Sequence, residues 1–302
     1  IGWITGHSYI VYGPLALGTT VLLREGEADQ PPKTKLWELV EKHAVDILYT
    51  SPTAIRTFMK WGEEYPSRYD LSSLRLLGTV GEPINPEAWW WLYEQIGNEE
   101  CPVVDTWWQT ETGGHLITTM PGVDEMKPGS AGPPLPGVDA TVVDETGTEV
   151  EEATGGYLAI ETPWPGMPRE LSEDTRWAET TDVLPDAEWA YMTGDGAVVD
   201  DEYITILGRV DDVINVSGRR YGTVELESIM IGVDGVAEAA VVSGYDDHDQ
   251  GIYAFANPDS GSADEPALRA RINRKIEREI GAFARPDRIV FTPELPKTSS
   301  GK

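Results

Sequence analysis

Three short polar segments of this chain combine glycine with carboxylate, amide and hydroxyl side chains. They span residues 80–83, 105–112 and 193–196, and each comes where an apolar run stops. We therefore expect each segment to lie at the end of a strand and to carry its polar groups on a loop. Open α/β sheets bind ligands on such loops, beyond the carboxyl ends of the strands. The three segments together predict one composite binding site.

The first and third segments suit parts of a nucleotide. In Gly81-Glu82-Pro83 the glycine lets a flat ring such as a purine approach the backbone, and the proline stiffens the turn. A plain strand-to-helix turn with an acidic residue near a helix N-terminus would use the same tripeptide. Asp195 lies between two glycines, and its carboxylate could accept hydrogen bonds from both ribose hydroxyls. A hairpin turn is the alternative interpretation of Gly194-Asp195-Gly196.

The second segment is the most specific of the three. It places two adjacent tryptophans, a glutamine and two threonines at the end of one strand. In an extended chain Trp107 and Trp108 point to opposite sides, so we expect one to pack inward and the other to wall a cavity. Gln109 and Thr110 offer an amide and a hydroxyl group to a ligand.

The segments need strands and helices to position them, and the pattern of the chain supplies both. The predicted elements are a helix over 36–45, a strand over 46–50, a helix from Ser51-Pro52-Thr53, a strand over 74–80 and a helix opened by Pro86. This alternation predicts an α/β layer with a mostly parallel sheet. After about residue 127, short strands broken by glycine and proline are typical of a small barrel or a hairpin meander.

The pattern changes again at Asp211. Beyond it we predict strands over 213–216, 236–243 and 252–256 and helices over 224–231 and 265–280. This is a compact α+β unit of about 90 residues, a plausible size for a small domain. The fold class is thus α/β, with residues 1–210 in part of a large domain and residues 211–302 in a small one.

Composition excludes several classes of protein. The chain has 302 residues, 52 of them acidic and 23 basic, for a net charge of −29. Such a surface repels nucleic acid and suits a high-salt cytoplasm. The sequence has no basic segment followed by a short apolar stretch, the pattern that would indicate a signal peptide. No apolar run approaches the roughly 20 residues of a membrane helix. Cys101 is the only cysteine, which excludes an internal disulfide and a cysteine metal cluster.

Three further segments follow along the chain, at residues 208–212, 217–220 and 296–302. In this order the whole set of motifs resembles the adenylate-forming enzymes, and most closely the AMP-forming acetate–CoA ligases. The resemblance covers essentially the whole chain. It implies a mobile small domain and a reaction in two halves. ATP with Mg²⁺ first activates acetate as acetyl-adenylate, releasing diphosphate, and coenzyme A then displaces AMP.

The resemblance also assigns residues to each ligand. The ATP or AMP set is Gly81, Glu82, Pro83, Asp105, Thr106, Trp107, Trp108, Gln109, Thr110, Asp195, Arg209 and Arg220. The acyl pocket set is Trp3, Ile4, Thr5, Val80 and Trp108, with the Trp108 indole leaving space for acetate or propionate only. The coenzyme A set is Thr5, Ser217 and Gly218, and the metal set is Glu111, Ile231 and Val236.

Two residues acquire roles in the movement of the small domain. Asp211 matches the hinge, and Lys302 matches the catalytic lysine that reaches the α-phosphate and the substrate carboxylate in one pose. The resemblance also makes Lys302 a target of acetylation and deacetylation enzymes. Considered singly, Lys302 would be a solvated loop lysine and Arg209 part of a surface ion pair.

The chain also departs from the pattern it resembles. No phosphate-binding loop rich in Ser, Thr and Gly occurs in it, and we expect that loop upstream of Ile1. The chain is therefore expected to be a fragment, cut at both ends and inactive by itself. Val233 replaces a metal-binding histidine, Glu277 an arginine that meets coenzyme A, and Asp29 an asparagine, which weakens the metal and coenzyme A assignments.

Three rival functions remain open at this point. A synthetase for propionate or another short acid would keep every nucleotide residue, and only Trp108 and Val80 argue against larger acids. An adenylation domain could instead pass its acyl group to a carrier protein. A binding module without enzymatic activity could use the 11 tryptophans as a platform for carbohydrate.

Overall fold

The computed structural model describes residues 4–26, 32–168, 191–210, 213–216, 219–246, 249–258 and 264–296. The chain has a mixed α/β fold, as the alternation of elements predicts. Among the described residues, no helix combines the length and the apolar character needed to cross a membrane.

A four-stranded sheet in the order β1-β2-β3-β4 organises the first part of the chain. Its strands are β1 (Ile47–Thr50), β2 (Leu76–Thr79), β3 (Val103–Trp107) and β4 (Ile117–Thr118). The first three run parallel, and β4 pairs antiparallel with β3. Three parallel strands place their carboxyl ends at one edge of the sheet, and this edge carries the first two polar segments.

Four α-helices lie in the described part of this region, and the last three begin within a few residues of their predicted positions, whereas the first was not predicted. They are α1 (Gly13–Ala16), α2 (Lys35–His43), α3 (Pro52–Trp61) and α4 (Pro86–Trp91), with π-helical turns at Gly6–Tyr12 and Leu92–Ile96 and 3₁₀ turns at Pro66–Arg68 and Thr110–Thr112. Helix α3 begins as its sequence indicates, because the Ser51 hydroxyl caps it by accepting a hydrogen bond from the Ala54 N–H (3.2 Å). Trp37, Phe58 and Trp89 contribute to the apolar core between these helices and the sheet.

A second four-stranded sheet follows the chain in the order β5-β6-β7-β8, as in a meander. Its strands are β5 (Ala140–Val143), β6 (Gly155–Ile160), β7 (Tyr191–Asp200) and β8 (Tyr203–Arg209). Here one expectation is wrong, since residues 193–196 lie inside β7 and not on a loop. Buried residues on both sides of Gly194-Asp195-Gly196 continue the strand through it, from Tyr191 to Ala197.

The last part of the chain forms a compact α+β arrangement. Strands β9 (Val213–Val216) and β10 (Arg219–Gly222) make an antiparallel pair. Strands β11 (Val236–Asp246), β12 (Asp249–Pro258) and β13 (Arg288–Phe291) make a three-stranded sheet. Helices α5 (Thr223–Ile231) and α6 (Glu265–Glu279) pack on it through Met230 and Ile272, and a 3₁₀ turn follows at Ala282–Ala284.

The chain divides into two compact units. The first comprises Ile1–Thr154, Leu158–Thr193 and Val198–Ile206, and the second comprises Gly155–Tyr157, Gly194–Ala197 and Leu207–Lys302. The predicted boundary between residues 1–210 and 211–302 stays a prediction. Asp211, the predicted hinge, lies outside the described residues.

Candidate active site

The first polar segment forms a turn between β2 and α4, which we call the Glu82 loop (residues 80–85). Gly81 adopts a φ of +94°, a left-handed conformation that favours glycine. A Cβ atom at this position would meet nothing within 4 Å, so the backbone borders open space. This geometry allows the close approach of a flat ring, which stays a prediction.

The Glu82 carboxylate is held by the start of helix α3. Its Oε1 atom accepts hydrogen bonds from the Thr53 backbone N–H (2.7 Å) and from the Thr53 hydroxyl. Its Oε2 atom accepts one from the Arg56 guanidinium (2.9 Å). The first N–H groups of a helix lack partners within the helix, and a negative charge there is favoured by the helix dipole. Glu82 therefore fastens its own loop to α3.

Asp105 fastens the same loop from the neighbouring strand. It is buried in β3, and its Oδ1 atom accepts a hydrogen bond from the Thr79 hydroxyl (2.5 Å). The backbone N–H groups of Ile84 and Thr106 also donate to this carboxylate. Burial raises the pKa of Asp105 to about 7, the negative charge of Glu82 adds to this effect, and the hydrogen bonds oppose it.

These contacts refine the predicted roles of Glu82 and Asp105. Both carboxylates have partners within the protein, at the N-terminus of α3 and at the Thr79 hydroxyl. The geometry therefore favours positioning of the Glu82 loop by these two side chains. A direct contact of either carboxylate with a nucleotide stays a prediction.

The two adjacent tryptophans differ in burial, as their alternation along the chain predicts. Trp107 is buried, whereas Trp108 is half-buried at the start of the loop that follows β3, which we call the Trp108 loop (residues 108–115). The Trp108 ring meets the Tyr9 ring edge-on at a centroid distance of 5.0 Å and the His115 ring at 5.7 Å.

Gln109 ties the Trp108 loop to strand β7. Its Nε2 atom donates to the Thr193 carbonyl (2.9 Å), and its Oε1 atom accepts from the Tyr191 hydroxyl. The Trp164 indole N–H donates to the Thr112 carbonyl (3.1 Å), which fixes the other side of the loop. The second polar segment thus contacts Thr193, the first residue of the third segment.

Asp195 and Arg209 meet across β7 and β8. Arg209 NH1 lies 3.4 Å from Asp195 Oδ1, and the two side chains are 53% and 10% exposed respectively. Gly194 has a φ of +70°, and a Cβ atom there would come within 2.8 Å of the Arg209 guanidinium. Arg209 thus forms an ion pair with Asp195, as the alternative interpretation of Arg209 predicts. A ribose contact by either residue stays a prediction.

Several predicted residues cannot be placed. Trp3, Asp29, Asp211, Ser217, Gly218 and Lys302 lie outside the described residues. Arg220 lies in β10. Ile4 and Thr5 are half-buried just before the turn Gly6–Tyr12, Val80 and Pro83 are half-buried in the Glu82 loop, and Thr110 is exposed in the Trp108 loop. Their ligand contacts stay predictions.

The predicted metal contacts are of two kinds. Glu111 is half-buried in the turn Thr110–Thr112, and one carboxylate suits Mg²⁺ that arrives bound to phosphate groups. Ile231 and Val236 have apolar side chains and offer only backbone carbonyls, and Val233 is buried in the core. Within the described ranges, no group of three or more His, Cys, Asp or Glu side chains could hold a metal ion.

The sequence interpretation missed five residues that organise this edge of the sheet. They are Tyr9, Tyr49, Thr53, Arg56 and His115. Tyr49 lies near the carboxyl end of a predicted buried strand and Thr53 shortly after it, which is the position where ligand-binding loops begin. That position could have drawn attention to them. Their pairing with Glu82 and Trp108 depends on strand order, which the sequence alone does not provide.

Comparison with known proteins places this chain in a family. The AMP-binding enzyme family matches residues 1–167, more than half of the chain, and the AMP-binding enzyme C-terminal domain matches residues 225–302. The chain therefore belongs to the AMP-binding enzyme family.

Relatives and solved structures agree with this assignment. The chain is 52% identical to an acetyl-coenzyme A synthetase of Gemmatimonas aurantiaca over 100% of its own length and 47% of the relative's. The corresponding enzyme of Deinococcus radiodurans is 53% identical over 100% and 46%. The crystal structure of an anthranilate CoA ligase with anthranoyl-AMP has a TM-score of 0.81 and 27% identity, covering 99% of this chain and 56% of that one. The chain thus spans about half the length of the curated relatives it matches.

Proposed function

We propose that the protein containing this chain is an AMP-forming acetate–CoA ligase. The observation that carries the proposal is the identity of about half of all residues, across the whole chain, with acetyl-coenzyme A synthetases. The arrangement of the Glu82 loop and the Trp108 loop at the carboxyl edge of the parallel sheet supports it, since ligands of open α/β sheets bind at this edge.

The proposed reaction has two steps. An acetate oxygen attacks the α-phosphorus of ATP, the bond to the β-phosphate oxygen breaks, and diphosphate leaves. The thiolate sulfur of coenzyme A then attacks the carbonyl carbon of acetyl-adenylate, and AMP leaves with the electron pair of the broken C–O bond. The protein mainly aligns these groups and stabilises charge that develops on phosphate oxygens.

In this proposal the site residues have the roles that the resemblance implies. The Glu82 loop borders the adenine, Gln109 and Thr110 lie by the nucleotide, and Asp195 with Arg209 holds the ribose and a phosphate group. Trp108 limits the length of the acid. Lys302 serves only the first step, and its modification by acetylation enzymes would control that step.

Further properties belong to the same proposal. Mg²⁺ bound with ATP would neutralise phosphate charge, and Glu111 is the residue that would hold it. The net charge of −29 supports work at high ionic strength in a cytoplasm, where salt screens repulsion between the protein and its anionic substrates.

The test uses the full-length protein that contains this chain. We expect AMP, diphosphate and acetyl-CoA to form in equal amounts from ATP, acetate and coenzyme A, and Lys302→Ala to abolish acetate-dependent exchange of diphosphate into ATP. Formation of ADP, or exchange that does not require an acid, would overturn the proposal. Faster turnover of propionate, acyl transfer to a carrier protein, or glycan binding without nucleotide turnover would select one of the rival functions.

A further inference from the structure

Trp108 lies among three aromatic side chains that come from three separate parts of the chain. Tyr9 belongs to the turn Gly6–Tyr12, Tyr49 to β1, and His115 ends the Trp108 loop. The Tyr9 and His115 rings stack at a centroid distance of 3.9 Å with an interplanar angle of 13°. The Trp108 indole meets both rings edge-on, at angles of 81° and 71°. The stacked pair thus supports one side of the indole.

The Tyr49 hydroxyl joins this aromatic group to strand β3. It lies 2.7 Å from Thr106 Oγ1 and 2.9 Å from His115 Nε2, and it also accepts a hydrogen bond from the Trp108 indole N–H. The Tyr9 hydroxyl accepts a hydrogen bond from the His115 backbone N–H (2.6 Å). The indole is therefore restrained by ring contacts and by a polar contact together.

Tyr49 and His115 are both uncharged near neutral pH. Burial raises the pKa of Tyr49, and burial lowers the pKa of His115 to about 4. A neutral imidazole and a neutral phenol can share one hydrogen bond without the cost of burying a charge. The contact between them therefore persists under the conditions in which the enzyme would work.

The energies involved are of the size needed to control substrate choice. An edge-on aromatic contact changes an equilibrium about 2–13-fold, and a hydrogen bond changes it about fivefold. Discrimination between acids that differ by one methylene is about 10–200-fold. Loss of even one restraint on an indole that closes a pocket can thus remove most of that discrimination.

We propose that Tyr49, His115 and Tyr9 are positioning residues that hold the Trp108 indole and thereby set the length of the acid that the enzyme accepts. This inference rests on the proposed function. It makes a distinct claim, because it assigns acid selectivity to residues outside the acyl pocket set and predicts no effect on the nucleotide.

The test compares Tyr49→Phe and His115→Phe in the full-length protein. Each substitution keeps an aromatic ring and removes the polar contact between the two side chains. We expect the ratio of kcat/KM for propionate to that for acetate to rise about tenfold, equal to about 1.4 kcal/mol. We expect the change to appear in the KM values of the acids, while the KM of ATP stays within about twofold.

Two further variants calibrate this measurement. Trp108→Gly gives the ratio of an open pocket, and we expect it to exceed that of either positioning variant. Tyr203→Phe is the matched control, because the Tyr203 hydroxyl also makes a hydrogen bond, to the Glu125 carbonyl (2.8 Å), outside the aromatic group. It should leave the ratio unchanged.

The outcomes separate this inference from the proposed function. Wild-type protein without acid-dependent diphosphate exchange would reject the proposed function and the inference with it. An active enzyme whose ratio responds to Trp108→Gly but not to Tyr49→Phe or His115→Phe would reject the inference alone. A ratio unchanged even by Trp108→Gly would also reject it. If His115→Phe does not fold, Tyr49→Phe decides, since it removes a single oxygen atom.

Discussion

An arginine–carboxylate pair lies next to each end of strands β1 and β2, and the two pairs differ more in burial than in distance. At the amino ends, Arg75 Nε lies 3.0 Å from Asp46 Oδ1, and the side chains are 71% and 64% exposed. At the carboxyl ends, Arg56 lies 2.9 Å from Glu82, and the side chains are only 15% and 22% exposed. The two ends of one sheet thus have ion pairs of the same type, one exposed to solvent and one mostly buried.

The difference supports the proposal that the carboxyl end of the sheet is the end organised for binding. An exposed pair contributes about 0–1 kcal/mol, because water and salt screen it. The Arg56–Glu82 pair is joined by Thr53, and the buried Asp105 lies near Glu82 on the next strand. Partly buried charges need such networks, since removing one partner leaves the other without compensation. The carboxyl edge therefore joins its loops through a partly buried network, whereas the Arg75–Asp46 pair at the amino edge is exposed.

The largest effect that would test this difference is the pH dependence contributed by Asp105. Its pKa of about 7 lies above the usual value of 3.8, so the folded state favours the protonated form. Its contribution to stability is complete below about pH 4 and is lost as pH rises to about 7. We expect the free energy of unfolding of the wild type, relative to Asp105→Asn, to fall by up to about 4 kcal/mol over this range.

Urea midpoints of both proteins at pH 4, 5.5 and 8 measure this effect. Other titrating groups are common to the two proteins and cancel in the difference. A difference that is constant with pH would contradict the burial of an ionisable Asp105.

Loss of the partly buried Arg56–Glu82 ion pair should have the next largest effect. In Arg56→Met the Glu82 carboxylate loses its cationic partner while staying mostly buried, which should lower the free energy of unfolding by about 2 kcal/mol. Because the Glu82 loop moves, kcat/KM for ATP should fall at least about tenfold, with the KM of acetate unchanged. Arg56→Lys keeps the charge and should recover part of both losses. If Arg56→Met kept the stability and the kinetic constants of the wild type, the Arg56–Glu82 ion pair would not position the Glu82 loop.

Arg209→Ala should separate ligand binding from stability. The Arg209 side chain is 53% exposed, so its pair with Asp195 contributes about 0–1 kcal/mol to folding. Its proposed contact with the nucleotide predicts a fall of about tenfold in kcat/KM for ATP, with an unfolding midpoint close to that of the wild type. A variant that loses stability but keeps its kinetics would reverse this assignment.

The smallest effect should come from the amino-end pair. Arg75→Ala removes an ion pair of 3.0 Å, close to the 2.9 Å of the Arg56–Glu82 pair, and we expect a change in stability below about 0.5 kcal/mol. Kinetic constants should not change. An effect as large as that of Arg56→Met would mean that burial does not distinguish the two ends of the sheet.

The sequence predicted the elements better than it predicted the contacts between them. Apolar runs and prolines placed β1, α3 and α4 within a few residues, because these signals are local. Residues 193–196 were expected on a loop, since an apolar run stops there, but the pairing of β7 within a sheet carries the strand through them. In the structure β11 and β12 are longer than the strands predicted over 236–243 and 252–256, again because pairing within a sheet extends them.

The candidate site shows the same limit. Glu82, Asp105 and Trp108 were identified from their motifs, whereas Arg56, Tyr49 and His115 were not. Their importance arises from strand order and ring packing across 26 to 66 residues of sequence. Local patterns carry no information about such pairings.

The central claim is that a carboxylic acid is activated by transfer of the adenylyl group of ATP to one of its carboxylate oxygens, with release of diphosphate. The most direct measurement uses acetate labelled with ¹⁸O in both oxygens, with ATP, coenzyme A and the full-length protein. Because an acetate oxygen becomes the bridge to the α-phosphorus, the AMP released should carry one ¹⁸O atom, as read by mass spectrometry. Label found in inorganic phosphate, or AMP that contains no ¹⁸O, would contradict the account.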